Sequence, residues 1–253
     1  MATTNILIFG GSGKVARHIT RLLAQQQQHT VHSIIRKPEQ SASITELGGK
    51  PIVQSIEDSS VEDMAATIKS TAADAIIWSA GAGGGSSADR TRAVDRDGAI
   101  RCMDAAALAG VKRFVMVSAV DVRDREGRPV PEWYDDGDRE RSDGAWKAIG
   151  TYYEAKLAAD RSLVAENGRR GLEYTIVRPG RLLEEAGTGK VAAGKVHWAS
   201  GVPREDVAKV VVEVLKQPKT IGLAFDVVGG ETVVEEAVAE VAEGRIDCFE
   251  GRY

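Results

Sequence analysis

The sequence predicts an α/β fold in which helices cover both faces of a doubly wound, parallel sheet. Three observations support this prediction. Short apolar runs recur along the chain without the polar alternation of a half-exposed strand, as expected for strands that are covered on both faces. Helical stretches separate these runs, and alternating strands and helices favour a parallel sheet. A glycine-rich turn lies between the first apolar run and the first helical stretch.

The predicted elements alternate in order along the chain, and several helical stretches end at Gly or Pro, which commonly stop helices. The predicted strands are residues 5–9, 31–35, 50–53, 74–79, 113–118, 174–177 and 224–228. The predicted helices are residues 14–28, 61–71, 92–110, 150–168 and 204–217. The later part of the chain is therefore expected to add further sheet and a small C-terminal cap on the substrate side.

Length and charge restrict the domain organisation and the partners. The chain has 253 residues, a formal net charge of -4 and 43% hydrophobic residues. Such a chain commonly forms one soluble domain, here with its core in 1–180 and its cap in 120–145 and 181–253. The acidic balance argues against nucleic acid and membranes as partners and favours a small-molecule substrate. The oligomeric state is left open, although the outer helices could form a homodimer.

Cysteine and histidine usage gives no sign of secretion or of a metal site. Cys102 and Cys248 lie far apart, and no leader sequence precedes the first strand. No apolar run approaches the roughly 20 residues needed to span a bilayer. We therefore expect a cytoplasmic protein. The four histidines match no metal-ligand spacing, so the sequence predicts no metal site.

Two segments interrupt the alternation of strands and helices. Residues 120–145 are highly charged and contain several Pro and Gly residues, and they form either a solvated loop or a lid over a ligand. Trp133, Tyr134 and Trp146 favour the lid, because large aromatic side chains are usually buried. Residues 181–203 are Gly-rich and irregular, and we expect them to form the other wall of a substrate cleft.

The turn "IFGGSGKVA", residues 8–16, partly matches two known motifs but lacks residues that each of them requires. A Walker loop for a nucleoside triphosphate needs a glycine where this chain has Ile8 and a hydroxyl where it has Val15. A hydrolase nucleophile turn would place the catalytic serine at Ser12, but Lys14 occupies the position of the closing glycine. Neither a triphosphate nor an acyl-transfer site is favoured.

The same turn fits a dinucleotide-binding pattern. Gly10, Gly13 and Ala16 follow the spacing G-x-x-G-x-x-[GA] directly after the first strand. In that pattern the first glycine permits the tight turn, the second lets the backbone approach a pyrophosphate, and the small third residue lets the helix pack closely on the sheet. Position in the first strand–helix unit therefore indicates a dinucleotide.

The end of the second strand indicates which dinucleotide is bound. An NAD(H) site commonly has a carboxylate there for the ribose hydroxyls, whereas this chain has Arg36 and Lys37. Two cations suit a 2′-phosphate, so the sequence favours NADP(H), unless both are ordinary surface charges. The glycine-rich stretch 79–85 after the fourth strand is either close to a cofactor ribose or a flexible loop.

The helix that contains "TYYEAKLAAD" offers a candidate catalytic pair. Tyr152 and Lys156 are four residues apart, so they share one helix face, and a lysine ammonium near a phenol favours ionisation of the phenol. Such a tyrosine can exchange a proton with a substrate carbonyl while a nicotinamide transfers hydride. The spacing also occurs by chance, in which case the tyrosine only packs on the helix surface.

Six stretches together resemble one family over nearly the whole chain. They are "GGSGKVA", "SAGAGGG", "KRFVMVSAVDV", "YYEAKLAAD", "YTIVRPGRLL" and "VPREDVAKVVVEVL". The chain is similar to the atypical short-chain dehydrogenase/reductases, in the NAD(P)H-binding, NmrA-like branch that is often labelled sugar-nucleotide epimerase-like. The resemblance implies a Rossmann core. It also implies that the pyrophosphate is surrounded by Gly10, Ser12, Gly13, Lys14 and Val15.

The resemblance assigns further residues to the cofactor and to catalysis. Arg36 would contact the adenosine phosphate, and Tyr152 and Lys156 match the catalytic tyrosine and lysine of the family. The adenine is expected beside Ser55 and Ile56, the ribose beside Ala80 and Gly81, and the nicotinamide beside Arg178, Pro179 and Gly180.

Two positions depart from the family pattern. Ser55 stands where an acidic residue often lies beside the adenine. The hydroxyl that polarises the substrate carbonyl follows the fifth strand, where the register leaves either Ser118 or Ala119 in its place. Losing a hydrogen-bond donor of this kind can cost about a hundredfold in rate.

The sequence therefore favours an NADP(H)-dependent oxidoreductase that acts on a small carbonyl or alcohol. In it Tyr152 exchanges the proton, Lys156 lowers the pKa of Tyr152 and holds the ribose, and Ser118 orients the substrate. Two alternatives stay open: a non-catalytic regulator that senses the NADP(H) redox state, as NmrA-like proteins are thought to do, and an epimerase or isomerase that retains its cofactor.

Overall fold

The computed structural model describes residues 4–198 and 200–249 of the chain. Its first half alternates strands and helices as expected from the apolar runs. The elements are β1 (Thr4–Phe9), α1 (Lys14–Ala24), β2 (His29–Ile35), α2 (Ser41–Glu46), β3 (Lys50–Val53), α3 (Val61–Ser70), β4 (Ala75–Trp78), α4 (Ala88–Thr91), α5 (Ala99–Ala109) and β5 (Arg113–Val117).

The second half has one long helix and several short strands. The elements are α6 (Asp136–Ala165), α7 (Asn167–Arg170), β6 (Glu173–Pro179), β7 (Leu182–Leu183), β8 (Lys190–Gly194), β9 (Val202–Pro203), α8 (Arg204–Lys216), β10 (Leu223–Gly229), β11 (Thr232–Val233) and α9 (Val234–Gly244). No helix within the described residues is both long enough and apolar enough to cross a membrane.

The central sheet has nine strands in the order β11-β8-β10-β6-β5-β4-β1-β2-β3. Among the described strands of this sheet, all neighbours from β3 to β10 are parallel, and β8 pairs antiparallel with both β10 and β11. Every residue of β4 is buried, because helices cover both faces of the sheet and form one apolar cluster on each. The doubly wound Rossmann fold predicted from the sequence is confirmed, and its strand order changes direction between β1 and β4.

The expected irregular excursion at 120–145 is partly helical. Helix α6 begins at Asp136, well before the predicted start at residue 150, so that expectation was wrong for 136–145. The side chain of Asp135 accepts a hydrogen bond from the backbone N–H of Asp138, which forms a capping box at the helix start. At Ile149 the backbone leaves the helical region (φ -135°, ψ 32°), and this kink separates the two halves of α6.

The predicted helix over 92–110 contains a π-helical turn. Residues Arg92–Gly98 form this turn between α4 and α5. A Cβ atom at Gly98 would lie 2.6 Å from the Cγ2 atom of Ile56, so a larger residue there would not fit without movement. Such turns are rare and frequently occur at functional sites. Here the turn contains the buried residue Asp95.

The segment 181–203 also contains structure that the sequence did not predict. It includes β7, β8 and β9, and β8 joins the antiparallel end of the main sheet. Apolar runs this short carry too little periodic signal to be recognised as strands, and the strands with which they pair are distant in sequence.

Candidate active site

The glycine turn after β1 is closely packed against the end of β4. Gly10 has a φ of +83°, and a Cβ atom there would lie 2.5 Å from the Cα atom of Ala80. Gly13 is the N-cap of α1, and no side chain caps the first turn of this helix. The helix N-terminus therefore presents backbone N–H groups, a typical environment for a phosphate.

One cavity of about 220 Å³ extends from this turn towards the end of β2. Arg36 lines it, whereas Lys37 and Ser55 are not among its lining residues. Ser55 instead donates a hydrogen bond to Asp58 (2.7 Å). The cavity is lined by Gly10, Ser12, Gly13, Ile34, Ile35, Arg36, Gln40, Gln54, Ile56, Glu57, Ser79, Ala80, Gly81, Ala82, Arg90 and Val94.

A larger cleft of about 1130 Å³ adjoins the other side of the turn. It brings the glycine turn together with Ser118, Tyr152 and Lys156, three residues that the sequence placed in the catalytic centre. Pro179 lines the same cleft, and the kinked part of α6 forms the opposite wall. The geometry thus places the glycine turn and a group of candidate catalytic side chains in one cleft.

The pair Tyr152 and Lys156 lies on the inner face of α6. The Lys156 Nζ atom is 5.8 Å from the centre of the Tyr152 ring, 3.3 Å from the Asp95 Oδ1 atom and 3.3 Å from the Val117 carbonyl oxygen. Asp95 was missed from the sequence. Its other carboxylate oxygen accepts a hydrogen bond from the backbone N–H of Ala82 (2.9 Å). Asp95 therefore fixes the lysine and the glycine-rich segment 81–86 together.

Burial and charge act in opposite directions on this pair. Burial raises the pKa of Tyr152, and the Lys156 ammonium only partly opposes this effect. Burial alone would lower the pKa of Lys156, but Asp95, followed by Tyr152 and Asp160, raises it above its usual value. The lysine is therefore a fixed cation, and the tyrosine is a protonated acid near neutral pH.

Ser118, rather than Ala119, lies on the cleft wall. The Ser118 Oγ atom donates a hydrogen bond to the Oδ2 atom of Asp160 at 2.6 Å, and both residues are buried. Burial raises the pKa of Asp160 to about 6, although the hydrogen bond from Ser118 and the nearby Arg178 and Lys156 oppose this shift. The proton of Ser118 is thus directed away from the cleft while Asp160 is ionised.

Replacing Asp160 with asparagine is expected to change how stability depends on pH. The pKa of Asp160 is raised from 3.8 to about 6, so the free-energy cost of its buried charge grows as pH rises from about 4 to about 6. The stability of the variant relative to wild type should therefore fall by on the order of 2 kcal/mol between pH 7 and pH 4.

Urea unfolding at the two pH values measures this difference. Asp104→Asn is a matched control with the opposite sign, because burial raises the pKa of Asp104 but its bonds to Arg169 and Arg170 lower it overall. A difference between Asp160→Asn and wild type that does not vary with pH would contradict the prediction.

Arg178 does not line either of these two cavities. Its Nε atom is 3.0 Å from the Asp226 Oδ1 atom, and its guanidinium lies over the ring of Phe249 (5.5 Å). The adjacent residue Pro179 does line the cleft, so the end of β6 reaches the site at this residue. Contact between Arg178 and the nicotinamide stays a prediction.

The first half of α6 is held over the end of the sheet. Asp121 accepts hydrogen bonds from Arg123 (2.8 Å), Ser142 (2.6 Å) and the Trp146 indole N–H (3.0 Å). Trp146 and Ile149 line the cleft, whereas Tyr134 is buried among other residues. This half of α6 therefore forms a wall of the cleft.

The segment after β8 contacts the start of α6 through His197 and Trp198. The Nδ1 atom of His197 lies 2.6 Å from Asp138 and 3.6 Å from Asp135, and these three side chains could together hold a metal ion. Asp138 is already bonded to Arg141 (2.9 Å) and to the backbone N–H of Trp198 (3.1 Å). The group therefore connects the segment after β8 to the start of α6.

The sequence and the fold are similar to those of known proteins. The sequence model of a family described as NAD(P)H-binding matches residues 10–218. The UPF0659 protein C216.03 of Schizosaccharomyces pombe is 37% identical over 236 residues, which cover 93% of this chain and 94% of that protein. The uncharacterized sugar epimerase YhfK of Bacillus subtilis is also 37% identical over 236 residues, which cover 93% of this chain and 99% of that protein.

Solved structures with the same architecture include the oxidoreductase ylbE of Lactococcus lactis. It aligns with a TM-score of 0.75 at 28% identity, covering 95% of this chain and 97% of that protein. A short-chain dehydrogenase/reductase of Veillonella parvula in complex with NADP aligns with a TM-score of 0.68 at 15% identity, covering 91% of this chain and 96% of that protein. The second likeness shows the fold alone.

Proposed function

Because the chain belongs to the NAD(P)H-binding family of atypical short-chain dehydrogenase/reductases, we propose that it is an NADP(H)-dependent oxidoreductase for a small carbonyl or alcohol. The observation that carries this proposal is the cleft that the glycine turn shares with Tyr152, Lys156 and Ser118. A phosphate-binding turn and a partly buried proton donor in one cleft are the two parts that such a reaction requires.

The residues around the turn fit a dinucleotide. Gly10 and Gly13 have no side chains to cover the backbone at the start of α1, so a pyrophosphate can approach the N–H groups there. Ser12 lines the cavity beside them, and Lys14 and Val15 line the adjoining cleft. Ile56, Ala80 and Gly81 would contact the adenosine half. When bound, the nicotinamide supplies or accepts the hydride.

The side chains of α6 supply the proton. Tyr152 donates its phenolic proton to the carbonyl oxygen of the substrate during reduction and accepts a proton during oxidation. The Lys156 ammonium, fixed by Asp95, stabilises the phenolate that this transfer produces. Ser118 lies beside them and contacts the same oxygen once its hydroxyl proton is available.

The preference for NADP(H) over NAD(H) is supported by Arg36. This arginine lines the cavity next to the glycine turn and is about half exposed, so its guanidinium is accessible to a phosphate. A guanidinium can form two parallel hydrogen bonds with a phosphate group, which NAD(H) lacks at the 2′ position.

Tyr152→Phe tests the catalytic role. We expect the variant to bind NADPH within about twofold of wild type but to lose at least ~100-fold in kcat/KM on any aldehyde or ketone that wild type reduces. NADPH oxidation across a panel of such carbonyls measures turnover, and isothermal titration measures binding. Tyr153→Phe is the matched control, because Tyr153 stacks on Trp146 (5.0 Å).

Three outcomes separate this proposal from its alternatives. Turnover that survives in Tyr152→Phe removes the tyrosine from the mechanism. Tight NADPH binding by wild type without turnover of any carbonyl favours the redox-sensing regulator. Purification with a retained dinucleotide, and turnover that needs none added, favours the epimerase or isomerase.

A further inference from the structure

Glu57 lies between two arginines in the smaller cavity. Its Oε1 atom is 3.4 Å from the Arg36 Nη1 atom and 3.2 Å from the Arg90 Nε atom. All three side chains line the cavity that contains the glycine turn. They are only partly exposed: 48% for Arg36, 32% for Arg90 and 30% for Glu57. One carboxylate therefore faces two guanidinium groups in the cavity beside the glycine turn.

The three residues come from separate parts of the fold. Arg36 follows β2, Glu57 follows β3, and Arg90 belongs to α4. The Nη1 atom of Arg90 also donates hydrogen bonds to the Ala82 carbonyl oxygen (2.5 Å) and to the Ser86 Oγ atom (3.0 Å). These bonds fix the position of Arg90, so its guanidinium is already in place before any ligand arrives.

The group of Arg36, Arg90 and Glu57 carries more positive than negative charge. Two guanidinium groups and one carboxylate leave a net positive charge, and the chain as a whole is acidic. A partly exposed ion pair contributes little to stability, so a ligand can replace Glu57 as the partner. A phosphate monoester carries more negative charge than a carboxylate and accepts bidentate hydrogen bonds from arginine.

We propose that Arg90 joins Arg36 in binding the 2′-phosphate of NADP(H), and that Glu57 competes with this phosphate for both guanidinium groups. This inference rests on the proposed function and adds two residues that determine its cofactor specificity. Arg90 increases affinity for the phosphorylated cofactor, whereas Glu57 limits it. The balance between them sets the preference for NADP(H) over NAD(H).

Two small probes separate the 2′-phosphate from the rest of the cofactor. Adenosine 2′,5′-bisphosphate contains this phosphate, and adenosine 5′-monophosphate lacks it. Isothermal titration of the whole protein with each probe gives two affinities for wild type and for every variant. We expect wild type to bind the bisphosphate at least ~10-fold more tightly, since charge-assisted hydrogen bonds to phosphate are strong.

The variants at Arg90 and Glu57 should change the affinity for the bisphosphate but not the affinity for the monophosphate. We expect Arg90→Gln to lower the affinity for the bisphosphate about 10-fold, and Arg90→Lys to lose less of that affinity. Glu57→Gln should raise the affinity for the bisphosphate about threefold or more. The monophosphate affinity should stay within about twofold in each variant. Arg92→Gln and Glu62→Gln are matched controls, because both residues are exposed and neither lines the cavity.

Other outcomes overturn the inference in distinguishable ways. If Arg90→Gln lowers the affinity for both probes equally, the arginine serves only to hold the segment 81–86 in place. A loss of monophosphate affinity in Glu57→Gln means that Glu57 binds the ribose hydroxyls. Equal binding of both probes by wild type removes the NADP(H) preference and this inference together, and failure to bind either probe removes the dinucleotide site itself.

Discussion

Replacing Gly13 with valine is expected to lower the affinity for NADPH by at least ~100-fold while leaving the protein folded. Gly13 has an extended backbone conformation (φ -64°, ψ 150°) that valine also adopts. A Cβ atom there would lie 3.1 Å from the Gly10 carbonyl oxygen, so the side chain would fill the turn that faces the pyrophosphate. Isothermal titration measures the affinity, and circular dichroism confirms the fold.

The position of the substitution makes this prediction specific. At Gly10 the same change would disrupt the fold, because φ is +83° and the added atom would overlap Ala80. Gly168→Val is the matched control, since no atom of the described residues lies within 4 Å of a Cβ atom at that helical glycine. Unchanged NADPH affinity in folded Gly13→Val would remove the basis for placing the pyrophosphate at this turn.

Replacing Lys156 with methionine is expected to lower the free energy of unfolding by about 3–5 kcal/mol. The Lys156 ammonium and the Asp95 carboxylate are 3.3 Å apart, with 3% and 1% of their side chains exposed. The variant leaves Asp95 as a buried carboxylate without its cation, and an uncompensated buried charge is strongly destabilising. Urea unfolding at pH 7 measures the loss.

A double substitution identifies the cause of this loss. Lys156→Met with Asp95→Asn removes both charges and should recover more than about half of the lost stability. Lys219→Met is the surface control: its partner Glu243 is 2.7 Å away, but both side chains are exposed, so the change should cost about 1 kcal/mol or less. If the losses from Lys156→Met and Asp95→Asn simply add, the two residues are not coupled.

Local patterns in the sequence were sufficient for the parallel sheet and the glycine turn. Strands covered on both faces appear as plain apolar runs, and Gly10 and Gly13 follow one of them directly. Tyr152 and Lys156 could be paired because four residues make about one helical turn. The start of α6 was missed because its sequence is dense in charge and lacks apolar periodicity, although Asp135 is a recognisable capping residue.

The rest of the candidate site depends on contacts between distant parts of the chain. Ser118 and Asp160 are 42 positions apart and meet only because α6 packs across the end of β5. One local signal was available for Asp160, since it follows Lys156 at the same four-residue spacing as Lys156 follows Tyr152. No comparable spacing identifies Asp95, because the π-helical turn changes the periodicity at that point.

The π-helical turn at Arg92–Gly98 sets the angular relation between two parts of one helical segment. An α-helix rotates by about 100° per residue, so a surplus residue in one turn shifts every later side chain around the axis by that amount. Asp95 can therefore point at the cleft while Cys102 and Met103 point into the apolar layer beneath it. Without the surplus residue, either Asp95 would not point at the cleft or Cys102 and Met103 would not point into the apolar layer. This single irregularity therefore lets one helical segment both line the cleft and pack against the interior.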